Sequence, residues 1–362
     1  MRLRSWCLSA LLLVGGAGAA LACPVCAPGI GLTPAQRMIN ADRVLYVVPQ
    51  GDQWTTLRAV KGPPGELPKN AFQQSYAMPW PGPAPADLPQ GQPVVVAQDS
   101  GTKHWVVIGP LATVHADWLR RVAATKPTGE MSERDWRELV AFHLAQLEHE
   151  DPFIAETSYA EIARAPYPAM RTLKPRLDAA RIAKWLDDPR LASRRPLYTL
   201  LLGVAGGPAA VAHVDRKLDA AARKSDTTDL AALMMADLEL HGPMRVAWIE
   251  KTYLTGKGRS MPEIQAALLA LSEQGTANAA VPRGRVVQAY RTFIRSGHTL
   301  AGYPAPALLG WQEWDAVPDY VALLQSKAPQ HPASTYAMLN YLDSSPRPEG
   351  KAAVAAYRAA VR

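Results

Sequence analysis

The sequence predicts a multidomain α+β protein, in which a small β-barrel precedes an all-α array of helix pairs. Between residues 42 and 115 the apolar residues form short runs with a largely two-residue period, which is typical of strands. From residue 132 onward they recur every three to four positions, as in amphipathic helices. The chain has 362 residues, more than one hydrophobic core usually holds, so we expect at least two domains.

The first 22 residues are predicted to be a secretory signal peptide. Arg2 and Arg4 precede an uncharged run over residues 5–22, which ends in Ala20-Leu21-Ala22. A basic start, a short apolar stretch and small residues three and one before the cut are the features that signal peptidases recognise. We therefore expect cleavage before Cys23, with the periplasm or the outer membrane as the destination.

The mature chain would begin with Cys23-Pro24-Val25-Cys26, and two fates of its first residue fit this junction. Ordinary cleavage leaves Cys23 unmodified, whereas lipoprotein processing acylates its thiol and attaches the chain to a membrane. In an oxidising compartment, Cys23 and Cys26 are also expected to pair as a disulfide. Haem attachment requires a histidine where Ala27 stands, and a zinc site requires further ligands. A disulfide or an acyl anchor is therefore expected, without a cofactor.

Residues 23–120 are predicted to form the β domain. Thr33-Pro34 is typical of the N-cap and first residue of a short helix. Asp99 to Thr102 has turn composition and is predicted to join two strands as a hairpin. Nine of the 32 prolines lie between Pro63 and Pro93, where the strand pattern is interrupted. The predicted strands cover residues 44–48, 54–60, 94–97 and 105–108. One helix and four or five strands in a small domain favour a closed barrel.

Short motifs in this domain are similar to those of netrin-like modules, a group that includes the tissue inhibitors of metalloproteinases. Ala41-Asp42-x-Val44 begins the first strand, Val60-Lys61-Gly62 ends the second, and a cysteine opens the mature chain. The similarity covers residues 23–115 and implies an OB-like barrel. The inhibitors carry a C-x-C motif at the N-terminus, whereas this chain has C-x-x-C, so the resemblance does not extend to inhibition through Cys23.

Residues 131–362 are predicted to form an α-helical repeat domain. Ser132 to Asp135 has the composition of a capping box. Gly207-Pro208 and Gly242-Pro243 lie 35 residues apart, and each follows a helix rich in Leu, Met and Ala. Two looser pairs cover residues 260–274 with 285–295 and residues 307–316 with 319–325. Paired helices at this spacing resemble HEAT-type repeats, whose apolar faces only a neighbouring pair can cover. Segments 158–167 and 194–203 also resemble a group of exported bacterial proteins of unassigned activity.

No motif in the sequence indicates catalysis or metal binding. The eight histidines are scattered, and His143 and His149 would lie on different faces of a helix. Neither a G-x-S-x-G elbow nor a P-loop occurs. Glu148, Glu150 and Asp151 are interpreted as a solvated acidic surface. We therefore predict that the protein is not an enzyme and has neither a cofactor nor a metal site.

The segment from Arg164 to Arg195 is the charge feature that most favours binding. It holds nine basic and three acidic residues in a chain of net charge +7. These side chains could line a groove for an acidic peptide, a phospholipid head group or a glycan, or form a solvated helical face with internal Arg–Asp pairs. Arg194 and Arg195 stand out, because Tyr198 lies within one helical turn of them. These three are the predicted partner-binding residues.

Together these observations predict a non-catalytic cell-envelope protein. It would bind a protein partner through the groove of the helical repeats, through the β-barrel, or through both. Nucleic acid is not an expected partner because the chain is exported, and attachment to a membrane would require an acylated Cys23. The alternative function is that of a thiol-dependent redox factor or enzyme that uses Cys23 and Cys26.

Overall fold

A computed structural model of the protein describes residues 25–26, 31–51, 53–68, 71–72 and 87–361. The predicted signal peptide, residues 1–22, and Cys23 lie outside these residues. Over the described residues the fold is α+β, as the sequence predicts, with sixteen α-helices and one four-stranded antiparallel sheet. None of the described helices has both the length and the apolar character that crossing a membrane requires.

The β half begins with a capped helix and a buried strand. In α1 (Pro34–Asn40), the Thr33 hydroxyl accepts the Gln36 N–H, while the Gln36 side-chain oxygen accepts the Thr33 N–H. The predicted N-cap is therefore confirmed. Strand β1 (Ala41–Gln50) follows directly, and its central residues, 44–47, are fully buried. Such burial is expected of a strand that is covered on both faces.

The strands form an open sheet in the order β2-β1-β3-β4. β1 pairs with β2 (Gln53–Lys61) and with β3 (Val94–Asp99), and β3 pairs with β4 (Trp105–Pro110). The predicted hairpin joins β3 and β4, and Oδ1 of Asp99 accepts two turn N–H groups at 3.1 and 2.8 Å. β2 and β4 lie at opposite edges, so the described strands do not close into the predicted barrel.

Different parts of the chain cover the two faces of the sheet, which explains how it stays open. Val44 and Tyr46 point to one face and pack with α1 and with α2 (Ala116–Ala123). Leu45 and Val47 point to the other face and pack against apolar residues of the β2–β3 connection. Since a helical layer covers one face and Leu67, Ala71, Phe72 and Leu88 of the connection pack on the other, the apolar faces do not require closure of the sheet.

The remaining fourteen helices form the C-terminal half. They are α3 (Glu133–Leu144), α4 (Pro152–Ala163), α5 (Tyr167–Arg171), α6 (Ala179–Asp187), α7 (Arg195–Ala205), α8 (Pro208–Lys224), α9 (Leu230–His241), α10 (Met244–Ile249), α11 (Met261–Gln274), α12 (Arg283–Arg295), α13 (Ala305–Gly310), α14 (Val317–Ser326), α15 (Pro332–Ser344) and α16 (Pro348–Val361). Many of them pack against the second helix along the chain, as in α7–α9–α11 and α12–α14–α16. This packing is loosely compatible with helical repeats.

The predicted helix pairs largely coincide with observed helices. The capping box at Ser132 is confirmed at the start of α3. Pro208 is the first residue of α8, and Gly242-Pro243 directly precedes α10. In the fourth pair α13 ends at Gly310, earlier than predicted. Gly203 permits close packing of α7 on α9, because a Cβ there would lie 2.7 Å from Cα of Ala236.

Helix α4 joins the two halves of the protein. Ile154 in its first turn belongs to the apolar cluster beneath the sheet, and its last turns pack in the helical core. Near its end, Glu161 and Arg164 form a buried ion pair, with side chains 0% and 5% exposed. The Glu161 carboxylate also accepts the hydroxyl of Thr33 at 2.6 Å, and Arg164 donates to the hydroxyl of Thr128 at 3.0 Å. Buried polar contacts therefore connect both halves.

We expect the buried imidazole of His143 to make this junction sensitive to acid. Its Nδ1 lies 3.0 Å from Oγ of Ser158. The pKa of His143 is lowered to about 4, mainly by burial; Glu161 opposes this shift, and the charges of Arg164 and Arg121 add to it. Because the unfolded chain has the ordinary pKa of about 6.5, it binds the proton more tightly than the fold does. The fold should therefore lose about 3 kcal/mol of stability as the pH falls from about 6.5 to about 4.

Urea unfolding at a series of pH values measures this contribution. In the wild type the unfolding midpoint should fall as the pH decreases below about 6.5. A His143→Gln variant should be less stable at neutral pH but should decline less over the same interval, because glutamine does not titrate. Parallel declines in the two proteins would show that His143 is not the acid-sensitive group.

Candidate interaction surface

Two of the predicted partner-binding residues, Arg194 and Tyr198, lie together against the half-buried carboxylate of Glu148. Both donate hydrogen bonds to Glu148, which belongs to the loop between α3 and α4. Arg194 is 17% exposed and its guanidinium lies 5.2 Å from the ring centroid of Tyr159. Tyr198 is fully buried. Its burial is the main cause that holds its pKa well above the usual range, and its hydrogen bond to Glu148 is the second cause. These two side chains tie α7 to the loop before α4.

Arg195, the third predicted residue, lies apart from this cluster. It is half-buried at the start of α7 and acts electrostatically on Asp229, which precedes α9. The pKa of Asp229 is raised by burial, and the charge of Arg195 offsets part of that rise. The structure therefore brings Arg194 and Tyr198 together and places Arg195 beside a different helix.

The described part of the Cys-x-x-Cys motif packs on the helical half. Cys26 is 1% exposed, and its Sγ lies 3.9 Å from Sδ of Met170 on α5. The hydroxyl of Tyr159 lies 3.5 Å from the carbonyl oxygen of Cys26. The segment thus meets the aromatic ring that also contacts Arg194. Because Cys23 lies outside the described residues, its lipidation and its pairing with Cys26 stay predictions.

Four of the nine basic residues between 164 and 195 have acidic partners. The pairs are Arg164–Glu161, Arg171–Glu239, Arg190–Asp188 and Arg194–Glu148. Three of these four acidic residues lie outside the segment, so sequence proximity could not identify them. The other five basic residues are Lys174, Arg176, Arg181, Lys184 and Arg195. Most of this remaining positive charge lies on or just before α6.

Helices α6 and α8 share a basic surface. Its six exposed side chains are Lys174, Arg176, Arg181, Lys184, Arg216 and Lys217, none of which forms an ion pair with another described residue. The two helices pack together. Charged residues of both helices change the pKa of His213 on α8. It is lowered by burial and then by Arg216 and Lys217, while Asp187 of α6 opposes the shift. We call these six residues the α6–α8 basic face.

Two packed aromatic rings, those of Trp185 and Tyr198, position part of this face. The guanidinium of Arg181 lies 4.9 Å from the ring centroid of Trp185, one helical turn away on α6. The ring of Trp185 lies 5.0 Å from that of Tyr198, which is itself held by Glu148. Arg181 is therefore positioned by packed rings. Sequence reasoning missed Trp185, although the four-residue spacing from Arg181 places both on one helical face.

One cluster in the described part of the chain has the chemistry of a metal site. Asp215 lies on α8, whereas Asp237 and His241 lie one turn apart on α9. One ligand-type atom from each residue lies within 4.8 Å of the others. No local motif in the sequence indicates this cluster, because the two helices that supply its residues are brought together only by the fold.

The chemical groups of the basic face suit recognition. Ammonium and guanidinium groups donate to carboxylates and phosphates, and the guanidinium can do so through two parallel hydrogen bonds. The hydroxyl–imidazole pair of Ser158 and His143 is not accessible as a nucleophile and base, because both residues are buried.

No protein-family model matches this chain, and no curated protein or solved structure is significantly similar to it.

Proposed function

We propose that this protein is a non-catalytic component of the cell envelope that binds an acidic segment of a protein partner through the α6–α8 basic face. The observation that supports the proposal is the set of six exposed cations without an ion-pair partner among the described residues. Ion pairs within the fold neutralise many other arginines of the helical half, so this face retains charge that a partner can use.

The face also has the composition of an energetic centre in a protein interface. Arg181 stacks on Trp185, and Lys184 is the neighbour of Trp185 in the same helix. Tryptophan and arginine are enriched among the residues whose truncation most weakens protein complexes. A tryptophan that is fixed by Tyr198 loses little conformational entropy when a partner covers it. Arg194 and Tyr198 would then contribute by positioning this stack, without contacting the partner.

The proposed architecture completes the functional interpretation. Residues 131–362 would form a HEAT-like solenoid, which is supported by helices that pack against the second helix along the chain. A solenoid presents an extended surface on which one helix pair after another can contact a peptide. Residues 23–120 would be a β domain built on the open sheet, and its relation to netrin-like modules rests on short motifs alone. Export to the periplasm or the outer membrane rests on residues 1–22.

The alternative function, thiol chemistry at Cys23 and Cys26, receives less support. A redox or nucleophilic thiol must reach its substrate, and reactive cysteines lie in partly exposed, electropositive surroundings. The side chain of Cys26 is 1% exposed and packs in the apolar core of the helical half. This burial favours a structural role for Cys26.

Charge reversal tests the proposal. The variant Arg181→Glu/Lys184→Glu removes two cations from the basic face and adds two carboxylates. The control Lys251→Glu/Lys351→Glu makes the same charge change at two other exposed lysines that have no ion-pair partner among the described residues. Each protein is used as bait in envelope extracts, and the captured proteins are quantified by mass spectrometry. Binding to a fluorescent polyglutamate peptide is measured in parallel.

We expect the control to match the wild type and the reversal to weaken capture and peptide binding at least about tenfold, since like charges would then meet. Raising the salt concentration should weaken the wild type strongly and the reversal little, because salt screens the attraction between exposed charges. Equal capture by the wild type and the reversal would refute the proposed face. A loss of binding in the control as well would assign the effect to net charge alone.

A further inference from the structure

Helices α8 and α9 bring three ligand-type side chains together near the protein surface. Asp215 of α8 is 42% exposed and His241 of α9 is 32% exposed, whereas Asp237 is fully buried beneath them. The distance between Nε2 of His241 and Oδ1 of Asp215 is 3.7 Å. We infer that Asp215, Asp237 and His241 form a binding site for a first-row divalent cation such as Zn²⁺.

The buried carboxylate of Asp237 supplies an observation independent of the clustering. Its Oδ2 accepts a hydrogen bond from Arg245 at 2.6 Å. Its Oδ1 is buried and has no hydrogen-bond donor among the described residues. A buried carboxylate oxygen that lacks a donor is costly, and a positive group bound to it would reduce that cost. A cation bound at Oδ1 would do so while Arg245 keeps Oδ2.

The hydrogen on Nδ1 of His241 is donated to a main-chain carbonyl oxygen and not to Oδ1 of Asp237. Nδ1 of His241 lies 3.0 Å from Oδ1, but it also lies 3.2 Å from the main-chain oxygen of Asp237. Only the second contact has hydrogen-bond geometry, and a carbonyl oxygen can only accept, so Nδ1 carries the hydrogen. In the neutral ring the lone pair then lies on Nε2, which is 3.7 Å from Oδ1 of Asp215. A metal-binding histidine commonly donates its other ring N–H to a main-chain carbonyl in this way.

The donor set selects the class of cation. One imidazole nitrogen and two carboxylate oxygens suit zinc and other first-row divalent ions, whereas calcium requires six to eight oxygen ligands. Three protein ligands leave at least one coordination position for water, which the exposure of Asp215 and His241 permits. Two carboxylates and a neutral imidazole give the set of ligands a charge of −2. The positive charge of the adjacent Arg245 lowers the affinity of the site for a cation. The ion would link α8 to α9.

Cobalt and zinc titrations of the mature chain test this site. Co²⁺ binding is followed by visible absorption, which distinguishes nitrogen and oxygen ligands from thiolate ligands. Zn²⁺ binding is measured by calorimetry. The test variants are Asp215→Asn and His241→Gln. The matched control is His213→Gln, which removes a half-buried histidine of α8 that lies outside the cluster.

We expect one equivalent of Co²⁺ to bind the wild type and the control without a thiolate absorption band. Loss of either ligand should weaken binding at least about tenfold, because even second-shell changes cost ten- to a hundredfold. Unaltered affinity in Asp215→Asn, or a thiolate band, would place the ion elsewhere and overturn the proposal. Absence of Co²⁺ and Zn²⁺ binding to the wild type would also overturn it.

Discussion

Replacing Glu161 with alanine should lower the free energy of unfolding by about 3–5 kcal/mol, the cost of removing one partner from a buried ion pair. The carboxylate of Glu161 is fully buried, pairs with Arg164 and accepts the hydroxyl of Thr33. Its removal would leave the buried guanidinium of Arg164 without its counterion and would break a contact between the β half and the helical half. The loss should therefore destabilise both halves together.

Chemical denaturation followed by circular dichroism measures this effect. A matched control is Glu138→Ala, which breaks the ion pair with Arg134 on the surface of α3, where both side chains are more than half exposed. The control should leave the unfolding midpoint nearly unchanged, since exposed pairs contribute little. Similar midpoints for both variants would mean that water reaches Glu161 and that the junction is not a dry polar contact.

The second large effect is expected at Leu201, in the middle of α7. Its side chain is fully buried in the apolar core of the helical half, where α7 packs against α9. Leu201→Ala should therefore cost about 2–5 kcal/mol, because it removes buried methyl groups and leaves a cavity. Leu57→Ala provides the control, since Leu57 of β2 is 47% exposed and should cost less than about 1 kcal/mol.

Thermal and urea unfolding of the two leucine variants compare them directly. If neighbouring helix pairs cover each other, the cavity at Leu201 should lower the stability of the whole helical half in one transition. A loss of only a few tenths of a kcal/mol would place Leu201 outside the core. A separate early transition in the variant would contradict cooperative packing of α7 with α9.

Features that depend on neighbouring residues could be predicted from the sequence. Thr33 and Ser132 cap helices because side-chain oxygen and backbone N–H groups lie within three residues of each other. Asp99 organises the β3–β4 turn for the same reason. The predicted strand over residues 44–48 is likewise found within β1, because its run of apolar side chains is a local feature. Local chemistry determines these features, and the sequence shows local chemistry directly.

Features that join distant segments could not be predicted in this way. Closure of the sheet depends on what covers its faces, and α1, α2 and the β2–β3 connection do so without a barrel. The sequence located the positive charge between residues 164 and 195, but not the partners of Arg194 and Arg171, which are Glu148 and Glu239. Of the three predicted partner-binding residues, Arg194, Arg195 and Tyr198, only Tyr198 is fully buried, and its ring packs against Trp185 of α6.

The metal-type cluster shows the same limit at a smaller scale. Asp237 and His241 lie one helical turn apart, and this spacing alone is common on helix surfaces. The third residue, Asp215, belongs to the preceding helix, and only the packing of α8 on α9 brings it near His241. A search for local motifs therefore finds two of the three residues and no reason to select them.

Site-specific photo-crosslinking tests the central claim, that a partner contacts the α6–α8 basic face. A photoreactive residue is placed at Ala180 on α6, at Thr55 on the sheet and at Ala355 on α16, three exposed positions. After irradiation in envelope extracts, we expect one salt-sensitive adduct from Ala180 and none from Ala355, because only the basic face attracts an acidic segment. Adducts from Thr55 with none from Ala180 would instead place the partner on the β half and contradict the proposed function.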